Sequence, residues 1–181
     1  MGTKSTRMGE SPLGVLRFET ALGNCALVWG PRGVRSIRLP EATEQGTRER
    51  LQADHPHARE IEPPDGIRHA ASAIAGLLTG GGDDLRSIPL DFEAVPPFHR
   101  KVYEVARGIA PGETWTYGEV AAKAGSPGAA RAVGQAMARN PFLLVVPCHR
   151  VVASDGTLGG FSAFGGLVTK RRLLAIEFAR A

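Results

Sequence analysis

Cysteine is scarce in this sequence, with only Cys25 and Cys148 among 181 residues. Two cysteines give no disulfide framework, so we expect a reducing compartment: the cytoplasm and nucleoid of a bacterium, or the nucleus of a eukaryote. Apolar runs are short as well, and none approaches the roughly 20 residues that span a membrane. Residues 1–11 are polar and lack the apolar core of a signal peptide. We predict that they form a loose tail and that the protein has no membrane partner.

Zinc-ligand spacing is also absent. The Cys and His side chains of the first half are Cys25, His55, His57 and His69, and their separations match no zinc motif. We therefore predict no metal site and no cofactor, and we interpret Cys25 as a small apolar residue buried in a strand.

Acidic side chains become sparse in the second half of the chain. Residues 96–181 carry 11 Lys and Arg against 5 Asp and Glu, whereas residues 1–95 carry 11 against 13. A basic half is typical of a surface that meets a polyanion such as nucleic acid. A solvated basic face gives the same count, so charge alone leaves both interpretations open.

The hydrophobic pattern predicts an α+β protein of two domains, residues 12–92 and residues 98–181, joined by a linker at 93–97. In the first domain, β-prone runs predict a meander of three strands, followed by a mixed charged segment, a helix and one more strand: 14–19, 24–29, 34–39, 41–59, 66–78 and 87–92. Asp65 is the predicted cap of that helix. This domain carries no recognisable chemistry, so we interpret it as a scaffold.

The second domain is predicted to be mostly helical, with helices over residues 98–109, 116–124, 127–139 and 168–179. Thr116 and Glu119 have the spacing of a capping box at the start of the second of these helices. Ser126-Pro127 then offers an N-cap and a first-turn proline for the third. Two short helices joined by a tight turn form a helix-turn-helix.

The later helix of this pair has almost no side-chain bulk, with small residues at seven positions: Gly128, Ala129, Ala130, Ala132, Gly134, Ala136 and Ala138. Arg131 stands alone on the smooth surface. Small residues permit close helix packing, which is one interpretation. They also let a helix enter the narrow minor groove, where a lone Arg can occupy the space of a base that has left the stack. In a basic helix-turn-helix we favour the interpretation as a DNA-binding surface.

The segment from Val145 to Val152 places a thiol, an imidazole and a guanidinium within an apolar run. Cations near Cys148 favour the thiolate, which is the nucleophilic form of cysteine. Glu177 falls on the apolar face of the last helix, where a carboxylate is costly unless it is paired. It either lies at the edge of that face, reaching water or Arg150, or it holds His149 in a relay of the triad type.

The run Pro147-Cys148-His149-Arg150-Val151 between apolar segments resembles the active-site motif of the O6-alkylguanine-DNA alkyltransferases, and the similarity extends in order from about Phe98 to Glu177. This family moves an alkyl group from O6-alkylguanine in duplex DNA onto its cysteine, once per molecule. The resemblance implies a small ribonuclease H-like α/β domain and a winged helix-turn-helix-like C-terminal domain. It also implies a monomer that binds alkylated duplex DNA and needs no protein partner, and it leaves activity on O4-alkylthymine open.

Carried over residue by residue, the resemblance implies five catalytic residues. Cys148 is the alkyl acceptor, and His149 and Glu177 form a proton relay through a bound water. Asn140 is the hinge that ties the recognition helix to the active-site turn, and Tyr117 rotates the phosphate backbone and bonds the base. It implies a DNA surface of Arg131, which replaces the flipped nucleotide, with Ala130, Ala132, Gly134, Tyr117 and Arg150. It implies a substrate pocket of Val151 and Ser162, whose backbone groups bond guanine, with Phe161 and Leu143.

Two features of the pocket loop depart from the family pattern. Phe161 stands where the family often has Tyr, and Ala163-Phe164 lengthen the loop. The ring of Phe161 keeps its stacking surface without the hydroxyl group. Both features bear on which alkyl groups fit, and neither touches the nucleophile.

Three other functions fit the sequence less well. A Cys–His hydrolase would leave the thin, Arg-bearing helix unexplained. A non-catalytic sensor of alkylated bases is the nearest alternative, but relatives of that kind have Trp in place of Cys148. A transcription regulator would carry bulky polar residues on the recognition helix, for reading the major groove.

Overall fold

The computed structural model describes residues 12–179, so the predicted tail at 1–11 and the last two residues lie outside its range. The described chain is a mixed α/β structure with these elements in order: β1 (Gly14–Thr20), β2 (Gly23–Gly30), β3 (Gly33–Arg38), α1 (Glu44–Asp54), α2 (Asp65–Leu78), α3 (Pro97–Ala106), β4 (Trp115–Thr116), α4 (Tyr117–Lys123), α5 (Ala130–Ala138), a 3₁₀ turn (Cys148–Arg150), β5 (Val151–Val152) and α6 (Leu167–Phe178). None of the helices over residues 12–179 has the length and apolar character that a membrane crossing requires.

The predicted meander is confirmed as an antiparallel sheet in the order β1-β2-β3. Its inner face carries Leu27, Val34 and Ile37, which are fully buried. Helix α2 has six buried residues, and all of them except Ala71 belong to the same apolar core as the sheet: Ile67, Ala70, Ala71, Ile74, Leu77 and Leu78. The sheet and α2 therefore form one apolar layer for the rest of the chain to pack on.

The strand predicted over residues 87–92 is wrong, because the segment meets the sheet only in an isolated bridge between Val34 and Leu90. Pro89 has no N–H and cannot continue a ladder. Its carbonyl accepts from the Val34 N–H at 2.8 Å, and the Asp91 N–H donates back to the Val34 carbonyl at 2.8 Å. The chain touches β3 at this point and then leaves it.

Helix α3 starts inside the predicted linker and ends before its predicted end. Pro97 occupies the first turn, where its missing N–H costs nothing. The helix ends at Ala106, while Ile109 is buried in the turn that follows. Asp65, the predicted cap of α2, is instead the first residue of that helix.

The two short helices of the predicted pair are both present, as α4 and α5. The capping box is confirmed: the Glu119 N–H donates to Thr116 Oγ1 at 3.1 Å, and the Thr116 N–H donates to Glu119 Oε2 at 2.6 Å. Helix α5 begins at Ala130 rather than at Pro127, because Gly128 adopts φ +88°, which a right-handed helix cannot contain.

A single apolar core joins the sheet and α2 to the later helices, through fully or almost fully buried residues that include Leu27, Ile74, Tyr103, Phe142 and Leu173. Strand β3 also reaches the segment between α5 and the 3₁₀ turn, where the Ile37 N–H donates to the Pro141 carbonyl at 2.8 Å. The core therefore supports the chain on both sides of Cys148.

Candidate active site

The turn before Cys148 is held by the side chain of Asn140. Its Nδ2 donates to the Val146 carbonyl at 2.9 Å, and its Oδ1 accepts from the Phe142 N–H at 2.9 Å. Between these points Leu144 adopts φ +72°, a conformation that non-glycine residues rarely take. The Asn140 amide thus stabilises an unusual turn that presents the reactive segment.

Cys148 is 4 % exposed and lines a cavity of about 720 Å³, a size typical of small-molecule sites. The walls come from helices α4 and α5, from the turn after β5 and from the glycine-rich loop, residues 158–166, which is the pocket loop of the sequence analysis. The lining residues are Tyr117, Gly118, Ala130, Arg131, Gly134, Met137, Ala138, Ala153, Ser154, Gly159, Gly160, Phe161 and Ser162. The reactive cysteine, the thin helix and the glycine-rich loop therefore meet at one cavity.

The structure brings most of the predicted DNA-binding and pocket residues to this cavity, but not all of them. Leu143 and Val151 are 3 % and 0 % exposed and do not line it. Ala132 lies on α5, half-buried, outside the lining. Among the described residues, no group of three or more His, Cys, Asp or Glu side chains is placed to hold a metal ion.

His149, Arg150 and Glu177 form a buried cluster beside Cys148. His149 Nε2 donates to Glu177 Oε1 at 2.9 Å, while Arg150 donates from Nη2 to Oε1 at 2.7 Å and from Nε to Oε2 at 2.9 Å. The carboxylate therefore holds both partners that the sequence offered as alternatives. At 5 % exposure it does not lie at a wet edge of α6.

Arg150 requires a correction, because it was predicted at the DNA surface. The residue is 1 % exposed, and its remaining hydrogen bond runs from Nη1 to the Ile109 carbonyl at 2.7 Å. A guanidinium turned inward onto Glu177 and a core carbonyl cannot contact a phosphate. Its place in the fold is to support Glu177.

The protonation states within the cluster follow from burial and pairing. Burial lowers the pKa of His149, although Glu177 opposes that effect. Burial alone would raise the pKa of Glu177, but the hydrogen bonds and charges of His149 and Arg150 lower it to about 2. Because Glu177 accepts the Nε2 proton, the basic nitrogen of a neutral His149 is Nδ1. That atom is buried and has no hydrogen-bond partner within residues 12–179.

The sequence predicts that nearby cations favour the thiolate of Cys148, and in the resting protein burial outweighs that effect. Burial raises the pKa of Cys148, and the opposing effects of the Asn140 side chain, the Lys170 charge and two backbone N–H groups do not overcome it. The thiol is therefore protonated at neutral pH, and a base is needed to take its proton. His149, neutral and tethered to an anion, has the properties of that base.

Comparison with known proteins decides the family. Residues 97–179 match the family model described as 6-O-methylguanine DNA methyltransferase, DNA binding domain. The methylated-DNA–protein-cysteine methyltransferase of Methanothermobacter thermautotrophicus is 38 % identical over 151 residues, which cover 83 % of this chain and 77 % of that protein. The chain belongs to the methylated-DNA–protein-cysteine methyltransferase family. The Salmonella typhimurium protein of the same name is 49 % identical over 81 residues, 45 % of this chain and 46 % of that protein.

Solved structures of methyltransferases resemble the whole described chain. Mycobacterium tuberculosis OGT in complex with DNA matches with a TM-score of 0.74 and 29 % identity, over 93 % of this chain and 94 % of that one. The O6-methylguanine-DNA methyltransferase of Pyrococcus kodakaraensis matches with a TM-score of 0.69 and 32 % identity, over 91 % and 98 %. The mixed α/β architecture is therefore that of the methyltransferases.

Sequence reasoning missed Lys170 in this methyltransferase site. Its side chain is fully buried and donates to carbonyls of β5 and of the glycine-rich loop. A signal was present in the sequence, since Lys170, Leu173, Leu174 and Glu177 have the i, i+3, i+4, i+7 spacing of one helix face. A lysine on the apolar face of α6 needs partners, as Glu177 does.

Replacing Glu177 by Gln is expected to destabilise the fold by about 3–5 kcal/mol, because it leaves the buried Arg150 charge without its anion. Urea unfolding at pH 7 measures this difference. The carboxylate is ionised down to about pH 2 in the folded chain but only to about pH 4.3 when unfolded. Its stabilisation is therefore present above pH 4.3 and is lost as pH falls towards 2, where wild type and variant should converge.

The matched control for this substitution is Glu104→Gln. Glu104 accepts from Arg100 Nε at 2.9 Å, but both side chains are about half exposed. An exposed pair of this kind contributes less than about 1 kcal/mol. Equal losses in the two variants would contradict the burial of the charged cluster.

Proposed function

We propose that this protein repairs DNA by moving an alkyl group from O6 of guanine in duplex DNA to Sγ of Cys148, once per molecule. The observation that carries the proposal is a buried cysteine that lines a cavity between α5 and the glycine-rich loop, with the His149–Glu177 pair beside it. Relatives that are 38 % and 51 % identical over the matched residues are named for this reaction. A sensor that binds alkylated nucleobases without reacting with them has no use for the buried thiol of Cys148 or for His149 as its proton acceptor.

The damaged base reaches the cavity by leaving the helix stack, because O6 of a paired guanine is beyond the reach of a buried thiol. Residues 98–181 act as a winged helix-turn-helix-like domain that presents α5 to the minor groove, and residues 12–92 act as its ribonuclease H-like scaffold. The small residues Ala130 and Gly134 let α5 approach closely. Arg131, exposed at the mouth of the cavity, fills the space that the base vacates.

The transfer begins with the proton of Cys148. It passes through a bound water to Nδ1 of His149, and Glu177 stabilises the imidazolium that forms. The thiolate then attacks the alkyl carbon in line, so that the C–S bond forms as the bond from carbon to O6 breaks.

The departing guanine needs a proton and a hydrogen bond. Burial raises the pKa of Tyr117, and the charge of Cys148 raises it further, so its hydroxyl carries a proton. That hydroxyl protonates N3 while the Ser162 N–H bonds O6. The tyrosinate that remains then takes up a proton and the His149 imidazolium releases the one it received, so the net change is one proton moved from Cys148 to guanine. Both residues line the cavity together with Cys148.

The product is a thioether, which keeps its alkyl group in water. The other cysteine, Cys25, is buried in β2 and cannot reach the site to accept the group. Each molecule is therefore spent after one transfer. With a tenfold excess of a duplex containing O6-methylguanine, guanine restored should level off at one equivalent per protein. Repair that continues beyond that level would contradict a single-use acceptor.

A further inference from the structure

Lys170 is a buried cation that the proposed reaction does not use. It lies in the first turns of α6, and its side chain is fully enclosed by protein. A lysine that is almost completely buried is rare unless it is paired, because removing an ammonium from water is costly. Its contacts therefore bear on what it does.

The ammonium group of Lys170 bonds backbone carbonyls from two separate segments. Nζ donates to the Val151 carbonyl at 2.6 Å, to the Leu158 carbonyl, and at 3.4 Å to the Gly160 carbonyl. Three donors are all that a lysine ammonium has. The hydrogen bonds tie β5, which follows the reactive turn directly, to the beginning of the glycine-rich loop.

The tied loop forms one wall of the cavity. Gly159, Gly160 and Ser162 line it opposite α4 and α5. The contact with α4 is close, since a Cβ at Gly159 would lie 2.7 Å from the Tyr117 hydroxyl. A loop that moved by even an ångström would therefore change the space beside Tyr117 and carry the Ser162 N–H away from the base.

Lys170 also carries charge near the nucleophile. Burial lowers the pKa of Lys170 to about 8, and the charge of Cys148 opposes that effect, so the ammonium form prevails at neutral pH. In return, the Lys170 charge lowers the pKa of Cys148. The other titratable side chains coupled to these two groups are His149 from the 3₁₀ turn, Tyr103 from α3 and Tyr117 from α4, and the pKa shift of each favours its neutral form.

We propose that Lys170 is a positioning residue of the site, whose ammonium bonds the Val151, Leu158 and Gly160 carbonyls and so holds the glycine-rich loop against β5, beside Cys148. The role in alkyl transfer rests on the proposed function. The effect on the thiol does not, because it concerns the protein without DNA.

The experiment compares the wild type with Lys170→Met, which keeps the length of the side chain without its charge, and with Lys170→Arg, which keeps the charge. Arg171→Met is the control, since Arg171 is the next residue of α6 and is exposed. The first measurement is the rate of carbamidomethylation of Cys148 by iodoacetamide against pH. The second is the rate of alkyl transfer to Cys148 from free O6-benzylguanine.

The thiol profile is the rate of carbamidomethylation of Cys148 plotted against pH. Lys170→Met is expected to raise the midpoint of this profile by about one pH unit, because a neighbouring cation is lost. Alkyl transfer should slow by about tenfold or more, because the loop is released. Lys170→Arg should recover most of the thiol profile, and Arg171→Met should match the wild type in both measurements.

A Lys170→Met variant that equals the wild type in both measurements would overturn the proposal and leave the reaction itself standing. A wild type that transfers no alkyl group would instead refute the proposed function, while the thiol profile still decides the role of Lys170. Should Lys170→Met fail to fold, hydrogen exchange of wild-type residues 158–162 carries the test. Their protection should fall as pH rises through the pKa of Lys170, which burial lowers, and protection that stays constant up to about pH 10.4, the pKa of an exposed lysine, would overturn the proposal.

Discussion

The Cys148→Ala variant is expected to transfer no alkyl group while it still binds duplex DNA that contains O6-alkylguanine. The substitution removes the nucleophile but leaves the cavity walls from α4, α5 and the glycine-rich loop. It also deletes only one buried atom beyond Cβ, so the turn held by Asn140 should persist. Transfer of label from DNA to protein measures the first effect, and a gel-shift titration with alkylated and plain duplex measures the second.

Cys25→Ala is the control for the loss of a buried thiol. Burial raises the pKa of Cys25 to about 11, against the hydrogen bond from Thr20, and the residue lies in β2, outside the cavity lining. This variant should transfer at the wild-type rate. Alkyl transfer by Cys148→Ala, or loss of alkyl transfer in Cys25→Ala alone, would show that Cys148 is not the acceptor.

Arg131→Ala should slow repair of duplex DNA by about 10- to 100-fold while leaving the reaction with free O6-benzylguanine unchanged. An extruded base leaves a gap in the stack, and the side chain that fills it offsets an unstacking cost of a few kcal/mol. Free base needs no extrusion, so it does not depend on Arg131. Single-turnover rates with the two substrates give the comparison directly.

A second variant separates this effect from the loss of one positive charge. Arg139 is also exposed and follows the end of α5. Arg139→Ala should weaken binding to alkylated and plain duplex alike, with a shallower salt dependence if a phosphate contact is lost. If Arg131→Ala slowed both substrates equally, or only weakened binding as Arg139→Ala does, Arg131 would have no part in base extrusion.

Local sequence pattern predicted the elements whose stability is local. The three strands of the meander were predicted within two residues of their observed ends, and α6 was shifted by one. The capping box at Thr116 and Glu119 was predicted correctly because both of its hydrogen bonds lie within three residues.

The errors came where one residue overrides its neighbours. The run at 87–92 is apolar enough for a strand, but Pro89 removes the donor that a second ladder bond would need. The start of α5 was placed at Pro127 on capping chemistry, yet the positive φ of Gly128 delays the helix to Ala130. Neither outcome follows from periodicity.

The residues of the site also fall into those that a local motif predicts and those that depend on distant parts of the chain. Cys148 and His149 are adjacent in the sequence and carry a recognisable motif. The partners that determine the direction of Arg150 lie 27 and 41 residues away, at Glu177 and Ile109, so its inward orientation could not be read from the motif. The spacing of Lys170 on the apolar face of α6 indicates that it is buried, but its partners are backbone carbonyls, which cannot be read from the side chains of the sequence.

The central claim is that Cys148 receives the alkyl group and keeps it. The most direct measurement is the intact mass of the protein after incubation with a duplex containing O6-methylguanine, followed by mapping of the modified peptide. The mass should rise by one methylene, carried entirely by the peptide that contains Cys148, and the gain should survive removal of the DNA. An unchanged mass while guanine is restored, or a methylene on any other residue, would contradict the account.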